Sequence, residues 1–250
     1  MRRSIFCLLA VPCFALALGC GGSSKESAPS ASAEPGKTID DAAEPHHHLA
    51  FQNQYVRAFM VRIEPQESTL KHQHNHDYVN VTLGPAELSN EIDGKPPAAV
   101  KPQEGQVRSI DGRGPPHVVR NVGTTPYRNL TIEILKDGPA EPTLAAKWDE
   151  DKGVSSFDGG SREIILVKDG VRVSKIQLKP GGGLPKQTKT TPTFIVALTD
   201  LDLKEAGTGR SVQLKSGDVK WDEDGSIRAL SNNAKQDARL VTLEFPATPK

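Results

Sequence analysis

Short apolar stretches bounded by glycine or proline set the pattern of this chain, and helical periodicity is weak throughout. The clearest stretches are Val56 to Ile63, Tyr78 to Leu83, Leu130 to Leu135, Glu163 to Val167, Val171 to Leu178, Phe194 to Leu198 and Leu240 to Phe245. They are rich in β-branched residues and too short for core helices, so they predict strands. Many short strands separated by turn residues predict an all-β sandwich or barrel.

The stretches also match one another. V-R-A-F-M-V-R-I-E-P at Val56 to Pro65 parallels V-R-V-S-K-I-Q-L-K-P at Val171 to Pro180, and Tyr78 to Leu83 parallels Phe194 to Leu198. Gly114 to Asn121 parallels Gly225 to Asn232, and Arg128 to Glu133 parallels Arg239 to Glu244. Blocks repeated in one order predict a duplicated unit. We read two barrels, residues 46–138 and 161–250, joined by a Pro/Ala/Lys-rich linker at 139–160. Arg57 and Arg172 share a repeat position, which predicts a common structural role. K-W-D-E-D occurs at Lys147 and at Lys220 without following the repeat, and its acidic spacing misses the calcium-loop pattern; we read it as solvated loop.

One apolar run stands apart. Ile5 to Leu18 follows Arg2 and Arg3, is broken by Pro12, and is too short to span a bilayer, the shape of a secretory signal at 1–19. It ends in A-L-G-C at Ala17 to Cys20, which resembles a bacterial lipobox, with Ala17 where Leu is more usual. The resemblance implies cleavage before Cys20, lipidation of Cys20, and a chain anchored in the cell envelope. Gly21, where Asp would imply inner-membrane retention, implies the periplasmic face of the outer membrane. The alternative is an ordinary secreted protein. Residues 20–45 are rich in Gly, Ser, Ala and Pro and predict a flexible tether.

Composition narrows the chemistry. Lys and Arg together number 31, matching 31 Asp and Glu, and no basic stripe with interleaved aromatics occurs, so nucleic acid is not an expected partner. All three cysteines lie at or before position 20, which leaves the exported part without a thiol for disulfides, nucleophilic catalysis or metal ligation. A metal site must then use His, Asp or Glu.

Histidine supplies the candidates. His72 and His74 stand two apart in K-H-Q-H-N-H-D-Y, so on a strand both imidazoles face one spot. His117, in G-P-P-H-V-V-R-N, needs a folded sheet to reach them. Near and far imidazoles with positions left open describe a catalytic or ligand-binding metal site. His46, His47 and His48 form a run that reads as a solvated or weakly chelating patch. Tyr78 could face pocket or core, and core is the expectation. Gly84, Gly114, Pro115 and Pro116 read as turn residues that steer His117 inward.

These residues resemble the cupin family. His72, His74 and Gly84 fit its first motif, and Gly114, His117 and Asn121 fit its second; Asn53 to Arg57 and His76 to Val79 look like small cupins of the barrel-2 type. The resemblance covers nearly all of the part beyond the tether, as a tandem bicupin, and implies double-stranded β-helix (jelly-roll) barrels with the ligands inside. The first motif's Glu would fall at Tyr78 or Val79, neither of which is a carboxylate. His76 is a candidate fourth ligand if the strand runs cleanly through it, and Asp77 should point away. In the second barrel Lys186 and Thr188 replace the histidine pair and Arg228 replaces the distal histidine. That barrel reads as structural; alternatively Lys186 and Arg228 could bind an anion.

Three imidazoles suit Fe, Mn, Ni, Cu or Zn, and spacing does not choose among them. The resemblance implies one divalent metal and a dioxygenase-type oxidoreductase acting on a small molecule. The competing reading is a non-catalytic lipoprotein that binds or senses a metal or small ligand. No catalytic residue is assigned, and the lipid is the one expected membrane contact. A homodimer is an assembly open to this fold.

Overall fold

Alternation along the strands accounts for both barrels. In the computed structural model, residues 37–135, 153–168, 170–185, 191–205, 209–223 and 230–245 are described, and they belong to one compact unit. The signal, Cys20, most of the linker, Lys186, Thr188 and Arg228 lie outside the described residues.

Ten strands build the first barrel: β1 (Ile39–Asp40), β2 (His47–Gln52), β3 (Val56–Ile63), β4 (His72–Gln73), β5 (Tyr78–Thr82), β6 (Leu88–Ile92), β7 (Ala98–Val100), β8 (Val107–Ile110), β9 (His117–Asn121) and β10 (Tyr127–Ile134). A 3-10 turn, Asp41–Ala43, joins the first two. They form two five-stranded sheets, ordered β1-β4-β9-β6-β7 and β2-β3-β10-β5-β8. On β10, Tyr127, Asn129 and Thr131 face the barrel interior, while Leu130, Ile132 and Ile134 face outward into apolar core. Both faces are buried.

The second barrel uses β11 (Gly153–Phe157), β12 (Gly160–Lys168), β13 (Val171–Leu178), β14 (Thr193–Ala197), β15 (Leu201–Glu205), β16 (Ser211–Leu214), β17 (Val219–Asp222), β18 (Leu230–Asn232) and β19 (Ala238–Glu244). Their sheet orders are β11-β12-β13-β19-β14-β17 and β16-β15-β18. One apolar core joins the barrels: Val56, Ala58, Val79, Val81 and Leu130 of the first pack with Val171, Val173, Phe194, Val241 and Leu243 of the second. At its rim Arg239 pairs with Glu104, and Arg128 Nη2 donates to the Ser216 carbonyl at 3.3 Å.

The duplication is visible in matched detail. Arg57 faces Glu133 across β3 and β10, and Arg172 faces Glu244 across β13 and β19. Each arginine Nε donates to its carboxylate at 2.7 Å. Asn121 donates to the carbonyls of Ile63 and Thr125, and Asn232 repeats this with those of Leu178 and Gln236. These pairs hold corners of the fold in both barrels, as expected for Arg57 and Arg172.

Two boundaries shift. The segment expected to be tether is already folded at Ile39, because β1 pairs in parallel with β4, Ile39 opposite His72. The linker is likewise shorter, since β11 starts at Gly153 and pairs with β12. Polar composition hid both segments; β1 bonds to a strand far along the chain, and β11 forms a hairpin with its neighbour β12.

Candidate metal centre

His72 and His117 meet because β4 and β9 pair at that single register. Their ring centroids lie 4.3 Å apart. His74, two residues on, turns to the same side, 5.3 Å from His72 and 5.5 Å from His117 between ring centroids. The intervening Gln73 points away, and its amide donates to the Gly114 carbonyl at 2.9 Å. The three histidines expected from the sequence are thus brought together.

The fourth imidazole is His47, not His76. His47 opens β2 opposite the inward-facing Val61, with its ring centroid 4.9 Å from that of His72 and 5.8 Å from that of His74. His47, His72 and His74 each offer a ligand atom, all within 4.8 Å of one another, and all three residues are buried. The expected solvated patch therefore divides: His47 goes inside, while its neighbour His48 is exposed. His76 is absent from the cavity lining. The strand ends at Gln73 and the chain bends at Asn75 and His76. Asp77 Oδ1 fixes that bend by accepting from the Gly112 N–H at 2.7 Å. Gly112 packs so closely that a Cβ there would lie 2.2 Å from the His76 carbonyl.

A shell of acceptors holds the rings. Glu44 Oε2 accepts from His47 Nδ1 at 2.7 Å, and the Leu70 carbonyl accepts from His72 Nδ1 at 2.8 Å. His74 Nδ1 lies 3.3 Å from Asp41 Oδ2 and 3.7 Å from Glu133 Oε1. With the Nδ1 atoms of His47, His72 and His74 each facing an acceptor, Nε2 is the nitrogen these three leave to carry a lone pair toward the centre. This is the outer-shell pattern that orients metal-bound imidazoles. Asp41 and Glu133 also form a three-residue set with His74. Arg57 Nη2 lies 2.6 Å from Glu133 Oε2 and 3.5 Å from Asp41 Oδ1, so we read both carboxylates as balancing and orienting His74. Asp41, Glu44, His47 and Glu133 escaped the sequence reading. The signals were Glu44 three residues before His47, and the Arg57/Glu133 pair repeated as Arg172/Glu244.

Electrostatics favour neutral donors on one side and a compensated one on the other. Burial lowers His72 to about 3, reinforced by His117 and His47. Burial lowers His117 to about 4, reinforced by His74 and His47. Burial would also lower His74, but Asp41 and Glu133 outweigh it and raise the net value. Asp41 is held down at about 2: burial opposes the shift, and His74 and Arg57 overcome it.

A pH dependence follows for the metal-free protein. As pH falls below 6.5 the unfolded chain protonates these imidazoles, while His117 and His72 stay neutral in the folded state until about 4 and 3. Their stabilising contribution is present above pH 6.5 and is lost on acidification through that window. The raised His74 gains stability as pH falls towards 6.5 and so offsets part of this loss, while Asp41 weakens only below about 3.8, towards pH 2. Urea denaturation of chelator-treated protein is expected to show a loss of up to about 4 kcal/mol between pH 7 and pH 5. Constant stability there would contradict buried neutral imidazoles.

The histidines border a cavity of about 300 Å³, at the small end of small-molecule sites. Val61, Ile63, Leu88 and Val119 give it apolar walls, and Asn80, Asn129, Thr131 and Tyr127 a polar side. Tyr78 faces the cavity rather than the core, its ring centroid 4.2 Å from that of His74; Val79 packs in the shared core. No carboxylate therefore occupies the first-motif Glu position.

No protein-family model matches the sequence, and comparison with curated proteins finds no match. Solved structures do match. A variant of salicylate 1,2-dioxygenase from Pseudoaminobacter salicylatoxidans in complex with gentisate aligns at 10% identity and TM-score 0.54, covering 77% of this chain and 69% of that one. AerE from Microcystis aeruginosa aligns at 15% identity and TM-score 0.57, covering 81% and 94%. The formate complex of Lactobacillus farciminis oxalate decarboxylase aligns at 10% identity and TM-score 0.53, covering 84% and 86%. At these identities the likeness shows the fold: two tandem cupin barrels.

Proposed function

We propose that the first barrel holds one divalent transition metal on His72, His74 and His117, with His47 completing a four-imidazole centre. The barrel would act on a small molecule as a dioxygenase-type oxidoreductase. One observation carries this reading. His47, His72 and His74 turn Nδ1 to Glu44, Leu70 and Asp41, which leaves Nε2 of each for a common ligand. The donor set fits a borderline metal such as Fe, Mn, Ni, Cu or Zn. When bound, such a metal would supply Lewis acidity and a place to hold an oxygen-bearing molecule. The chain's own residues do the rest. Glu44, Asp41 and the Leu70 carbonyl fix the rings, the apolar walls exclude water, and the polar side orients the small molecule. Export and lipidation at Cys20 belong to the same proposal, supported by the A-L-G-C stretch.

A second reading is a non-catalytic binding lipoprotein. It is favoured by the cavity's charge pattern: among the lining residues Asp111 is the one carboxylate, and it is exposed, so no buried base stands ready. Purified protein reconstituted with each of Fe, Mn, Ni, Cu and Zn separates the readings. We expect one metal per chain, and oxygen uptake with a member of a phenol and diketone panel. Stoichiometric metal without oxygen uptake selects the binder. Failure to retain any metal removes both.

A further inference from the structure

The duplicated barrel is an internal control on which interior residues the fold requires. Glu133, Thr131 and Asn121 have the counterparts Glu244, Thr242 and Asn232 in the same strand registers. The polar residues Asn80, Thr82, Asn129 and Tyr127 have apolar counterparts instead, Tyr127 facing Ile63 where Ala238 faces Leu178. Thr131 faces Asn80 and Asn129 faces Thr82 in the first barrel. In the second, Thr242 faces Ile195 and Leu240 faces Ala197. Ile195, Ala197 and Leu240 are buried in the second barrel's apolar core. The same backbone thus accepts apolar residues at these positions, and a buried amide costs stability wherever a partner is missing. Polarity at Asn80 and Asn129 is not needed to fold a barrel of this design.

Their hydrogen bonds leave donors over. Asn80 Nδ2 donates to Asn129 Oδ1 at 2.8 Å and to Thr131 Oγ1 at 3.4 Å. Thr131 Oγ1 donates to Asn129 Oδ1 at 2.9 Å. Asn129 Oδ1 is therefore doubly satisfied, and its Nδ2 faces the Tyr127 hydroxyl, which leaves the second of its two N–H groups over. Beside it, Tyr127 is pushed up to about 12 by burial, against contacts with Asn80, Thr82 and Asn129 that lower it, so its phenol stays protonated. Arg108 lies opposite Asn80 in register and lines the same cavity. The second barrel keeps a cation there, Lys220 opposite Ile195, so the amide pair and not Arg108 distinguishes the barrels.

We propose that Asn129 Nδ2 and the Tyr127 hydroxyl, held in place by Asn80 and Thr131, are the specificity-determining donors for an acceptor oxygen, ketone or carboxylate, on the small molecule bound beside the histidines. The inference rests on the first barrel being the ligand-binding one, and it does not require turnover.

Installing the second barrel's own residues tests it. The probes are benzoate, acetophenone and ethylbenzene, titrated by calorimetry into the protein and into its N80I/N129L variant, with bound metal measured in parallel. In the unsubstituted protein the two oxygenated probes are expected to bind about tenfold or more tighter than ethylbenzene, the worth of one good hydrogen bond. In N80I/N129L that preference should collapse with metal content unchanged. Tyr127→Phe, which removes one hydroxyl, should lose about threefold to tenfold and keeps the test alive if the double variant misfolds. Arg108→Gln separates the two oxygen sources, weakening benzoate alone if a carboxylate is preferred. Equal binding of all three probes, no binding of any, or a preference that survives N80I/N129L and Tyr127→Phe overturns the proposal. Selectivity for the oxygenated probes in protein that retains no metal would sink the metal reading and leave the donor pair standing.

Discussion

Replacing His47 with alanine is expected to weaken metal binding as severely as replacing His72 or His117, while His76→Ala leaves it unchanged. The free energy of a structural four-ligand site, shared among its ligands, gives roughly 3–4 kcal/mol per ligand, or about a hundredfold to a thousandfold in affinity. His47 qualifies through its position, buried and in mutual reach of His72 and His74, and through Glu44, which fixes its tautomer at 2.7 Å. Glu44→Gln should cost less, about tenfold to a hundredfold, the range for an orienting partner. It should cost something, because the same carboxylate also accepts from the His46 and Leu70 backbone N–H groups. Competition titration with a chromophoric chelator reads all of these variants. Unimpaired binding in His47→Ala would reduce the centre to the three histidines of the two motifs. Lost binding in His76→Ala would show that the bend at Asn75 and His76 is placed wrongly.

Phe194→Ala should destabilise the whole described unit by about 3–5 kcal/mol. Phe194 is fully buried, and its ring centroid lies 5.4 Å from that of Phe51 on β2 of the other barrel. Phe51 stacks in turn on Trp221, at 6.2 Å. The truncation opens a cavity in a core that both barrels share, so neither can relax into it independently. Urea denaturation followed by tryptophan fluorescence and by circular dichroism should show one transition at a lower midpoint, coincident for both probes. Two separated transitions would mean that the barrels fold as independent units and that the shared core couples them weakly.

The two expectations differ in how far they could be seen from the sequence. The apolar strands were legible, since alternation and β-branching act locally and the duplication wrote the pattern twice. The pairing of Arg57 with Glu133 could have been found from its echo in Arg172 and Glu244. His72, His74 and His117 were legible because two stand two apart in an extended stretch and the third follows a Gly-Pro-Pro turn. His76 is a candidate only if the strand runs through it, and β4 instead ends at Gln73, with the Asp77–Gly112 contact bending the chain beyond it. His47 was passed over because a run of three histidines has no periodicity of its own. Only pairing with Val61 on β3 decides which of them turns inward.

Residue type and local spacing carried the class of the fold, its duplication, the confinement of cysteine to the first 20 positions, and the candidates His72, His74 and His117. The tertiary structure decided which face of each strand borders the cavity. Both faces of β5 and β10 are buried, so polarity alone could not separate Asn80 and Asn129 on the inside from Val81 and Leu130 in the shared core. It also decided that the N-terminal segment closes the site. Asp41, Glu44 and His47 reach the centre through strand pairings with residues far along the chain, which have no local signature: Ile39 meets His72, and His47 meets Val61.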